Sequence, residues 1–283
     1  MTVDVRTTDP AGEPRIVLEG RGLIKEYPAG PRRGLLRGPA RMRAVDDVSL
    51  SLARGRVTAL VGQSGSGKST LGRMLARLIP ATAGSILLDG REVAGSGHAA
   101  HRAYVGDVQL TLQDPFASLN PLRRISYTLG RAVRLHQGVR EADQVRDRSR
   151  ELLARVGLHP GERYLDRFPH ELSGGERQRV SFARALAASP KVLIADEPVS
   201  MLDVTIRKEM LDLIDSLRRD EDLAVLYITH DLGSARRYSD EVLVMHEGSV
   251  VERGSSAQVI DDPRHEYTQR LLAAAPDPAS RLH

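Results

Sequence analysis

One nonapeptide sets the architecture of this chain: Gly62-Gln63-Ser64-Gly65-Ser66-Gly67-Lys68-Ser69-Thr70. It matches the template Gly-x4-Gly-Lys-Ser/Thr without a gap. The segment 56–61 before it is short, apolar and partly β-branched, which predicts a buried strand. After it, apolar residues at i, i+3, i+4 and i+7 predict one face of a helix: Leu71, Met74, Leu75 and Leu78. This order of strand, glycine loop and helix indicates a phosphate-binding loop rather than a turn that binds nothing.

The residue types of this loop suit a nucleoside triphosphate. Its glycines allow the backbone to curl so that several N–H groups point inward, and the start of the helix adds unpaired donors and partial positive charge. Lys68 can reach the β- and γ-phosphates, and the hydroxyl of Ser69 is suited to Mg²⁺. We therefore expect a triphosphate and Mg²⁺ to bind here.

The composition is that of a globular protein. The chain has 283 residues, of which 41% are hydrophobic and 28% charged, enough for a well-buried core. No apolar run approaches the roughly 18 residues that span a bilayer, and the N-terminal residues lack the apolar segment of a signal peptide. We therefore expect the chain to stay in the cytosol. Without cysteine, disulfides, thiolate catalysis and cysteine-ligated metals are excluded.

The net charge of +4 raises nucleic-acid binding as an alternative. The basic residues are interleaved with acidic ones, and aromatic residues make up only 4%, which leaves little for base stacking. We expect no nucleic-acid partner, and interpret the excess charge as a solvated surface suited to lie near anionic lipid.

The remaining chain alternates between strand and helix patterns. Residues 1–14 are polar and are interpreted as a frayed leader, and residues 28–43 as a Pro/Gly/Arg-rich surface loop. From about residue 114 the pattern becomes helical, which predicts a helical subdomain at about 114–172. Its apolar stripe consists of Val145, Leu152, Leu153 and Val156. Further strands are expected at 16–23, 45–52, 85–88, 192–195, 223–229, 241–245 and 249–251, and helices at 174–188, 204–219 and 263–275.

Two carboxylates follow a strand that is predicted to be buried. Asp196 and Glu197 come directly after residues 192–195, so both are expected at the C-terminal end of that strand, where parallel sheets place ligands. Asp196 is suited to hold Mg²⁺, and Glu197 to polarise an attacking water as a general base. The alternative is a solvated acidic strand end without a function.

Ser173-Gly174-Gly175-Glu176 precedes a predicted helix and has the pattern of a capping box. A helix that starts at Ser-Gly-Gly is also a second anion-binding site. Because one ATP has one triphosphate, two such sites suggest that one of them serves the nucleotide of a neighbouring subunit.

Three further residues are candidates whose signals are weak when taken alone. His230 follows the strand at 223–229 and could contact a γ-phosphate, although a lone histidine is more often structural. Gln113 offers a neutral oxygen ligand for the metal. Tyr27 could stack on adenine, although an unsupported tyrosine usually packs in a core.

The order of these motifs resembles the ATP-binding subunit of an ABC transporter, over nearly the whole chain. The motifs are Tyr27, the glycine loop, Gln113, Leu172-Ser173-Gly174-Gly175-Glu176, Ile194-Ala195-Asp196-Glu197, Ser200-Met201-Leu202-Asp203 and His230. The resemblance implies an α/β fold: a P-loop NTPase core with a mostly parallel sheet, an antiparallel β subdomain and the inserted helical subdomain. The ATPase domain would span residues 15–262, followed by a tail at 263–283.

The resemblance also implies what each motif does with ATP and Mg²⁺. Tyr27 would stack on adenine, Gln113 would begin the loop that couples nucleotide to the membrane subunits, and His230 would be the switch on the γ-phosphate. Glu197 would be the catalytic base. The signature at residues 173–176 would contact ATP held by the opposite subunit, with Asp203 as a dimer-contact residue.

A narrower resemblance is to the ATPases of oligopeptide, dipeptide and nickel importers. It is carried by the connector Gln113–Pro121, by Gly34-Leu35-Leu36-Arg37 before Arg43-Ala44-Val45-Asp46, and by the tail segment Pro263–Leu272. It implies a second ATPase subunit, commonly a different one, beneath two membrane permease subunits fed by an external solute-binding protein. The chain would then lie peripherally on the cytoplasmic side of the cell membrane.

Three positions depart from the family pattern. Glu176 stands where glutamine is usual; a capping box accepts either, but a negative charge beside a partner's nucleotide puts equal activity of the two sites in doubt. Glu266 replaces the tail proline, which leaves the role of the tail open, and Met201 is unusual in its turn.

The alternatives to an importer subunit are a soluble ABC ATPase acting in translation or DNA repair, a regulator without turnover, and an exporter. The solute stays open between dipeptides, oligopeptides and nickel.

Overall fold

The structure is a computed structural model that describes residues 14–29, 40–93, 97–114 and 119–274. The chain divides into two compact units, the first made of Met1–Ala94 with Ala224–His283 and the second of Gly95–Leu223. Several predictions fall outside the described residues: the leader up to residue 13, the loop segment 34–37, connector residues 115–118 and the tail beyond residue 274.

The strands and helices follow each other along the chain. The strands are β1 (Ile16–Ala29), β2 (Ala40–Ala53), β3 (Val57–Val61), β4 (Ala83–Leu88), β5 (Arg91–Glu92), β6 (Val108–Thr111), β7 (Val192–Asp196), β8 (Ala224–Thr229), β9 (Glu241–His246) and β10 (Ser249–Ser255). The helices are α1 (Lys68–Leu75), α2 (His98–Asp107), α3 (Ile125–His136), α4 (Ala142–Arg155), α5 (Glu162–Leu165), α6 (Gly174–Leu186), α7 (Val204–Glu221), α8 (Leu232–Tyr238), α9 (Ser256–Asp261) and α10 (Glu266–Ala274), with a 3-10 turn at Pro169–Glu171.

The first unit contains an antiparallel sheet of order β2-β1-β4-β5. The surface loop predicted at residues 28–43 is wrong at both ends, because β1 continues to Ala29 and β2 already begins at Ala40. The cause is a cross-strand charge pair: both carboxylate oxygens of Glu26 on β1 accept hydrogen bonds, one from Arg41 and one from Arg43 on β2, at 2.9 and 3.1 Å. These arginines, read from the sequence as loop residues, therefore stabilise the pairing of the two strands.

The same unit holds the strand that leads into the glycine loop. β3 is buried throughout and pairs in parallel with β8 on one side and β9 on the other, and β9 pairs antiparallel with β10. This confirms the predicted buried strand. A buried strand that is paired along both of its edges is a rigid support for the loop that follows it.

Helix α1 begins directly after the glycine loop. Leu71, Met74 and Leu75 are buried as predicted. The prediction that Leu78 lies on the same buried face is wrong, since 59% of its surface is exposed. The helix ends before Leu78 because Arg77 takes a left-handed conformation with φ of 53°. The apolar face of α1 is therefore two turns long.

The second unit contains a parallel strand pair, β6 and β7, and six of the helices of the described chain. β7 is buried along its whole length, as predicted. The stripe predicted within the helical subdomain lies on α4 and at its end, and all its members are buried. On α7 the buried apolar residues include Met210, Leu213, Ile214 and Leu217.

The hydrophobic patterns of the sequence did not predict three short helices. α2, α8 and α9 were not predicted, since none has a long apolar stripe; on α2, for example, the buried residue is Tyr104. The α/β class and the antiparallel subdomain are confirmed, and the boundaries of the ATPase domain and of its helical insertion stay predictions. Over the described ranges, every helix is too short or too polar to span a membrane.

Candidate nucleotide-binding site

The glycine loop joins β3 to α1 and comes very close to the neighbouring backbone. Gly62 and Gly67 have φ of 151° and 105°, in the region that favours glycine. A Cβ at Gly62 would lie 2.2 Å from the Met245 carbonyl oxygen, and one at Gly67 would lie 2.1 Å from that of Ala44. Larger residues are therefore excluded at both positions, and the loop can pass close to the backbone at Ala44 and Met245.

The lysine of the loop is held inside the loop itself. Lys68 is only 5% exposed, and its Nζ donates to the carbonyl oxygens of Gly62 and Gln63, both at 2.8 Å. The hydroxyl of Ser66 is buried and has no hydrogen-bond partner among the described residues. A buried ammonium, an unpaired hydroxyl and a helix start with Gly67 at its N-cap fit a phosphate chain.

Two other predicted residues lie in this first unit. Tyr27 is half-buried on β1, where the ammonium of Lys25 lies 5.2 Å from the centre of its ring. His230 is exposed directly after β8. The next residue, Asp231, caps α8 by accepting the backbone N–H groups of Gly233 and Ser234. His230 is therefore placed between a buried strand and a capped helix, which fixes its backbone.

In the second unit the paired strands β6 and β7 bring two predicted residues together. Glu197 follows Asp196, which ends β7 and is 2% exposed. Gln113 follows β6 and its Nε2 donates to Oε2 of Glu197 at 3.0 Å. Because β6 and β7 are parallel, their C-terminal ends meet at one edge, as expected for a ligand site. Glu197 has a φ of 45°, a strained conformation of the kind found at functional sites.

The signature segment forms the predicted capping box. Ser173 Oγ accepts the Glu176 N–H at 3.2 Å, and Glu176 Oε2 accepts the Ser173 N–H at 2.8 Å, which starts α6. A Cβ at Gly175 would lie 2.7 Å from Ile206 Cγ2, so the glycine allows α6 to start close to α7. Asp203 is exposed at the N-cap of α7. The signature and Asp203, the predicted dimer-contact residue, are therefore neighbours within this unit.

The pKa of Glu176 is lower than the ordinary value of a glutamate, 4.5. Burial alone would raise the pKa, but the hydrogen bonds from Ser173 and from the hydroxyl of Tyr164 outweigh burial. The positive charge of Arg167 adds to the lowering. The residue that departs from the family pattern is therefore held as a carboxylate.

This pKa predicts how a Glu176→Gln variant responds to pH. The folded-state pKa is lowered, so the charge stabilises the fold above pH 4.5, and this contribution is lost as pH falls through the lowered pKa. In urea unfolding, we expect wild type to be more stable than the variant at pH 7, and the difference to shrink as pH falls below 4.5 and through the lowered pKa. Glu151→Gln, on the exposed face of α4, is the control. A difference that does not change with pH would contradict the prediction.

The predicted metal ligands are divided between the units: Ser69 belongs to the first, and Gln113 and Asp196 to the second. Within the described ranges, no group of three histidine, aspartate or glutamate side chains could hold a metal ion. The three metal ligands therefore stay predictions.

One contact of the loop was not predicted. The hydroxyl of Tyr267 on α10 accepts the backbone N–H of Gln63 at 3.2 Å, between residues 204 positions apart. The sequence contains no local signal for such a contact. Tyr267 stood in the tail segment that resembles the peptide importers, but without an assigned role.

Fold and site together define a P-loop nucleotide-binding protein with a second, serine-capped helix start. The chain belongs to the ABC transporter family, because the model of that family matches residues 45–200, more than half of the chain. This confirms the resemblance found in the sequence. The Gly62–Thr70 loop, the 173–176 signature and the Asp196–Glu197 pair all lie inside the matched range.

Curated relatives are similar over most of the chain. The peptidoglycan transport ATP-binding protein YejF of Agrobacterium fabrum is 46% identical over 245 residues, 84% of this chain and 45% of that protein. The glutathione import ATP-binding protein GsiA of Salmonella paratyphi A is 42% identical over 266 residues, 94% of this chain and 42% of that protein. The chain therefore spans less than half the length of these relatives.

Solved structures share the fold. The ATP-binding cassette MJ0796, solved as a dimer in a post-hydrolysis state with ADP and Pi, has a TM-score of 0.72 and 25% identity, covering 84% of this chain and 98% of its own. The protein cbiO1 of Clostridium perfringens, part of the ABC transporter complex cbiONQ, has a TM-score of 0.72 and 27% identity, covering 88% of this chain and 92% of its own.

Proposed function

We propose that the chain is an ATP-hydrolysing subunit of an ABC importer for peptide-like solutes. The observation that carries this proposal is the glycine loop, with its buried Lys68 and its unpaired Ser66 hydroxyl, which fits a phosphate chain. The relatives named for peptidoglycan transport and glutathione import support a peptide-like solute. Nickel is the alternative solute.

The residues of the site divide the work of hydrolysis. The loop N–H groups and Lys68 bind the phosphates, and Tyr27 packs against adenine. Ser69, Gln113 and Asp196 would hold Mg²⁺, which when bound neutralises charge on the phosphates. Glu197 takes the proton of the attacking water.

His230 contacts the γ-phosphate in this proposal, so that hydrolysis changes its environment. The side chain of Gln113 is hydrogen-bonded to that of Glu197 in the structure. Gln113 is also the first residue of the connector that contacts the membrane subunits in this proposal. A change in the metal or in the γ-phosphate therefore has a direct route to that connector through a single side chain.

A second ATPase subunit completes the site. The 173–176 signature is a second anion-binding helix start, and it serves the nucleotide of the partner subunit. Met201 and Val204, on either side of Asp203, are apolar and exposed. They suit a surface that is covered in a dimer, and dimeric solved structures of this fold support such a pairing. The pair of ATPase subunits is then either a heterodimer or a homodimer.

The complex includes two membrane permease subunits, with an external solute-binding protein that delivers the solute. The chain lies peripherally on the cytoplasmic side of the membrane.

The test is transport by a reconstituted complex. The chain is co-purified with the permease and binding-protein candidates encoded beside it and placed in proteoliposomes with ATP and Mg²⁺. We expect uptake of a di- or oligopeptide that requires ATP, and ATP turnover that rises with the loaded binding protein. Turnover without any permease, and a chain that purifies with ribosomes or DNA instead, would contradict the proposal in favour of a soluble ABC ATPase. Uptake of Ni²⁺ but of no peptide would correct the solute.

A further inference from the structure

Helix α10 contacts the start of the glycine loop through one tyrosine. Tyr267 is 4% exposed, and its ring stacks on that of His246 at the end of β9, with centroids 3.8 Å apart and planes at 22°. Its hydroxyl oxygen accepts the Gln63 N–H at 3.2 Å. The stacking of the ring sets where the hydroxyl lies, so this acceptor stands at a defined place beside the loop.

The Gln63 N–H belongs to the same peptide group as the Gly62 carbonyl. That carbonyl oxygen accepts a hydrogen bond from Lys68 Nζ at 2.8 Å. A trans peptide group is planar, with its N–H and C=O pointing in opposite directions, so the direction of one fixes the direction of the other. Tyr267 and Lys68 therefore hold one peptide group from its two sides.

This peptide group needs such a restraint. Gly62, with a φ of 151°, lacks the side chain that would limit rotation about its backbone bonds. If the group rotated, the Gly62 carbonyl would turn away from the Lys68 ammonium, and the first turn of the loop would change shape. The acceptor at Tyr267 opposes that rotation because the Gln63 N–H would lose its partner.

Tyr267 is itself held firmly against β10. The carboxylate of Glu252 accepts the backbone N–H groups of Arg264 at 2.8 Å and of His265 at 3.1 Å. His265 Nδ1 in turn accepts the Tyr267 N–H at 3.1 Å. The start of α10 is thus tied to a strand, so the tyrosine hydroxyl is a fixed point rather than a mobile one.

We propose that Tyr267 is a positioning residue for nucleotide binding: it orients the Gly62–Gln63 peptide group and through it the Lys68 ammonium. This inference rests on the nucleotide binding in the proposed function. Loss of the hydroxyl lowers the affinity for ATP and for ADP by about fivefold each, the worth of one ordinary hydrogen bond. The two losses are equal because the group acts on the loop and Lys68, which both nucleotides contact. The kcat at saturating ATP changes by less than about twofold, because Glu197 is untouched.

The test compares two tyrosine-to-phenylalanine variants of the full chain. Tyr267→Phe removes the hydroxyl and keeps the stacked ring. Tyr227→Phe is the matched control: Tyr227 is also buried in the same unit, at 1% exposure, and its hydroxyl bonds to Ser234 Oγ at 2.9 Å. Equilibrium binding of ATP and ADP and the thermal midpoint are measured for both, and KM and kcat for the assembled complex. We expect both variants to lose similar stability and only Tyr267→Phe to lose nucleotide affinity.

A second measurement follows the Gln63 amide directly. Amide hydrogen exchange of the nucleotide-free wild type should show the Gln63 N–H protected, and the same amide should exchange faster in Tyr267→Phe. An unprotected Gln63 amide in wild type would overturn the inference. So would wild-type ATP and ADP affinities in Tyr267→Phe, or an equal loss in Tyr227→Phe. Each of these results leaves the proposed function intact, whereas a wild-type chain that binds no ATP would overturn both.

Discussion

The Glu197→Gln variant is expected to lose ATP turnover by at least about 100-fold while it keeps its affinity for ATP. A positioned general base contributes roughly 10²–10⁴-fold to a rate, and an amide cannot take the proton of the attacking water. The substitution is otherwise conservative, because the amide oxygen can still accept the hydrogen bond that Gln113 Nε2 donates at 3.0 Å. The loss therefore reports on proton transfer and not on the position of the side chain.

The measurement is the steady-state ATPase rate of the assembled complex, together with equilibrium ATP binding. Glu209→Gln is the matched control: this glutamate lies on α7 in the same unit and pairs with Arg179 at 3.1 Å. It should keep wild-type turnover. If Glu197→Gln hydrolysed ATP at the wild-type rate, the assignment of the base would be wrong, and Asp196, the buried neighbour, would be the next candidate.

The parts of the site that were predictable from sequence are the local ones. The nine residues from Gly62 to Thr70 contain both the turn chemistry and the start of a helix, and the flanking apolar periods set the strand and the helix face. The capping box is equally local, since Ser173 and Glu176 are three residues apart on one helix turn. In both cases the interacting groups are neighbours in the chain, so residue type and spacing suffice.

Contacts between distant segments were not predictable in this way. Gln113 and Glu197 were each singled out, but their hydrogen bond joins residues 84 positions apart and depends on the pairing of β6 with β7. Tyr267 reaches a residue 204 positions away through α10, and it was seen only as part of a tail.

Two predictions from local composition and periodicity were wrong because other features of the fold decided the structure. Arg41 and Arg43 suggested a loop, yet both bond Glu26 on the neighbouring strand. Leu78 continued the helical period of α1, yet the left-handed Arg77 ends the helix before it. In each case the local pattern was real, and a non-local pairing or a single backbone conformation overrode it.

The Lys68→Ala variant is expected to lose affinity for ATP by roughly 100-fold or more, and measurable turnover with it. A hydrogen bond to a charged group is worth about 1.5–3 kcal/mol, and this ammonium can reach two phosphates. Its burial at 5% exposure makes the loss larger than at a surface site, because little water is present to replace the charge. Removal of the side chain also leaves the Gly62 and Gln63 carbonyl oxygens without the donor that joins them.

The two causes can be separated with a second substitution. Lys68→Met keeps most of the buried stem and removes only the charge, so it should bind ATP as poorly as Lys68→Ala but unfold closer to the wild-type midpoint. Lys208→Ala is the control for the loss of a lysine, because Lys208 is exposed on α7 and pairs with Asp212 at 2.8 Å. Equilibrium binding of ATP by the full chain decides between the outcomes. Wild-type affinity in Lys68→Ala would mean that the phosphates bind elsewhere, since a loop that holds a triphosphate cannot lose its buried positive charge without a loss of affinity.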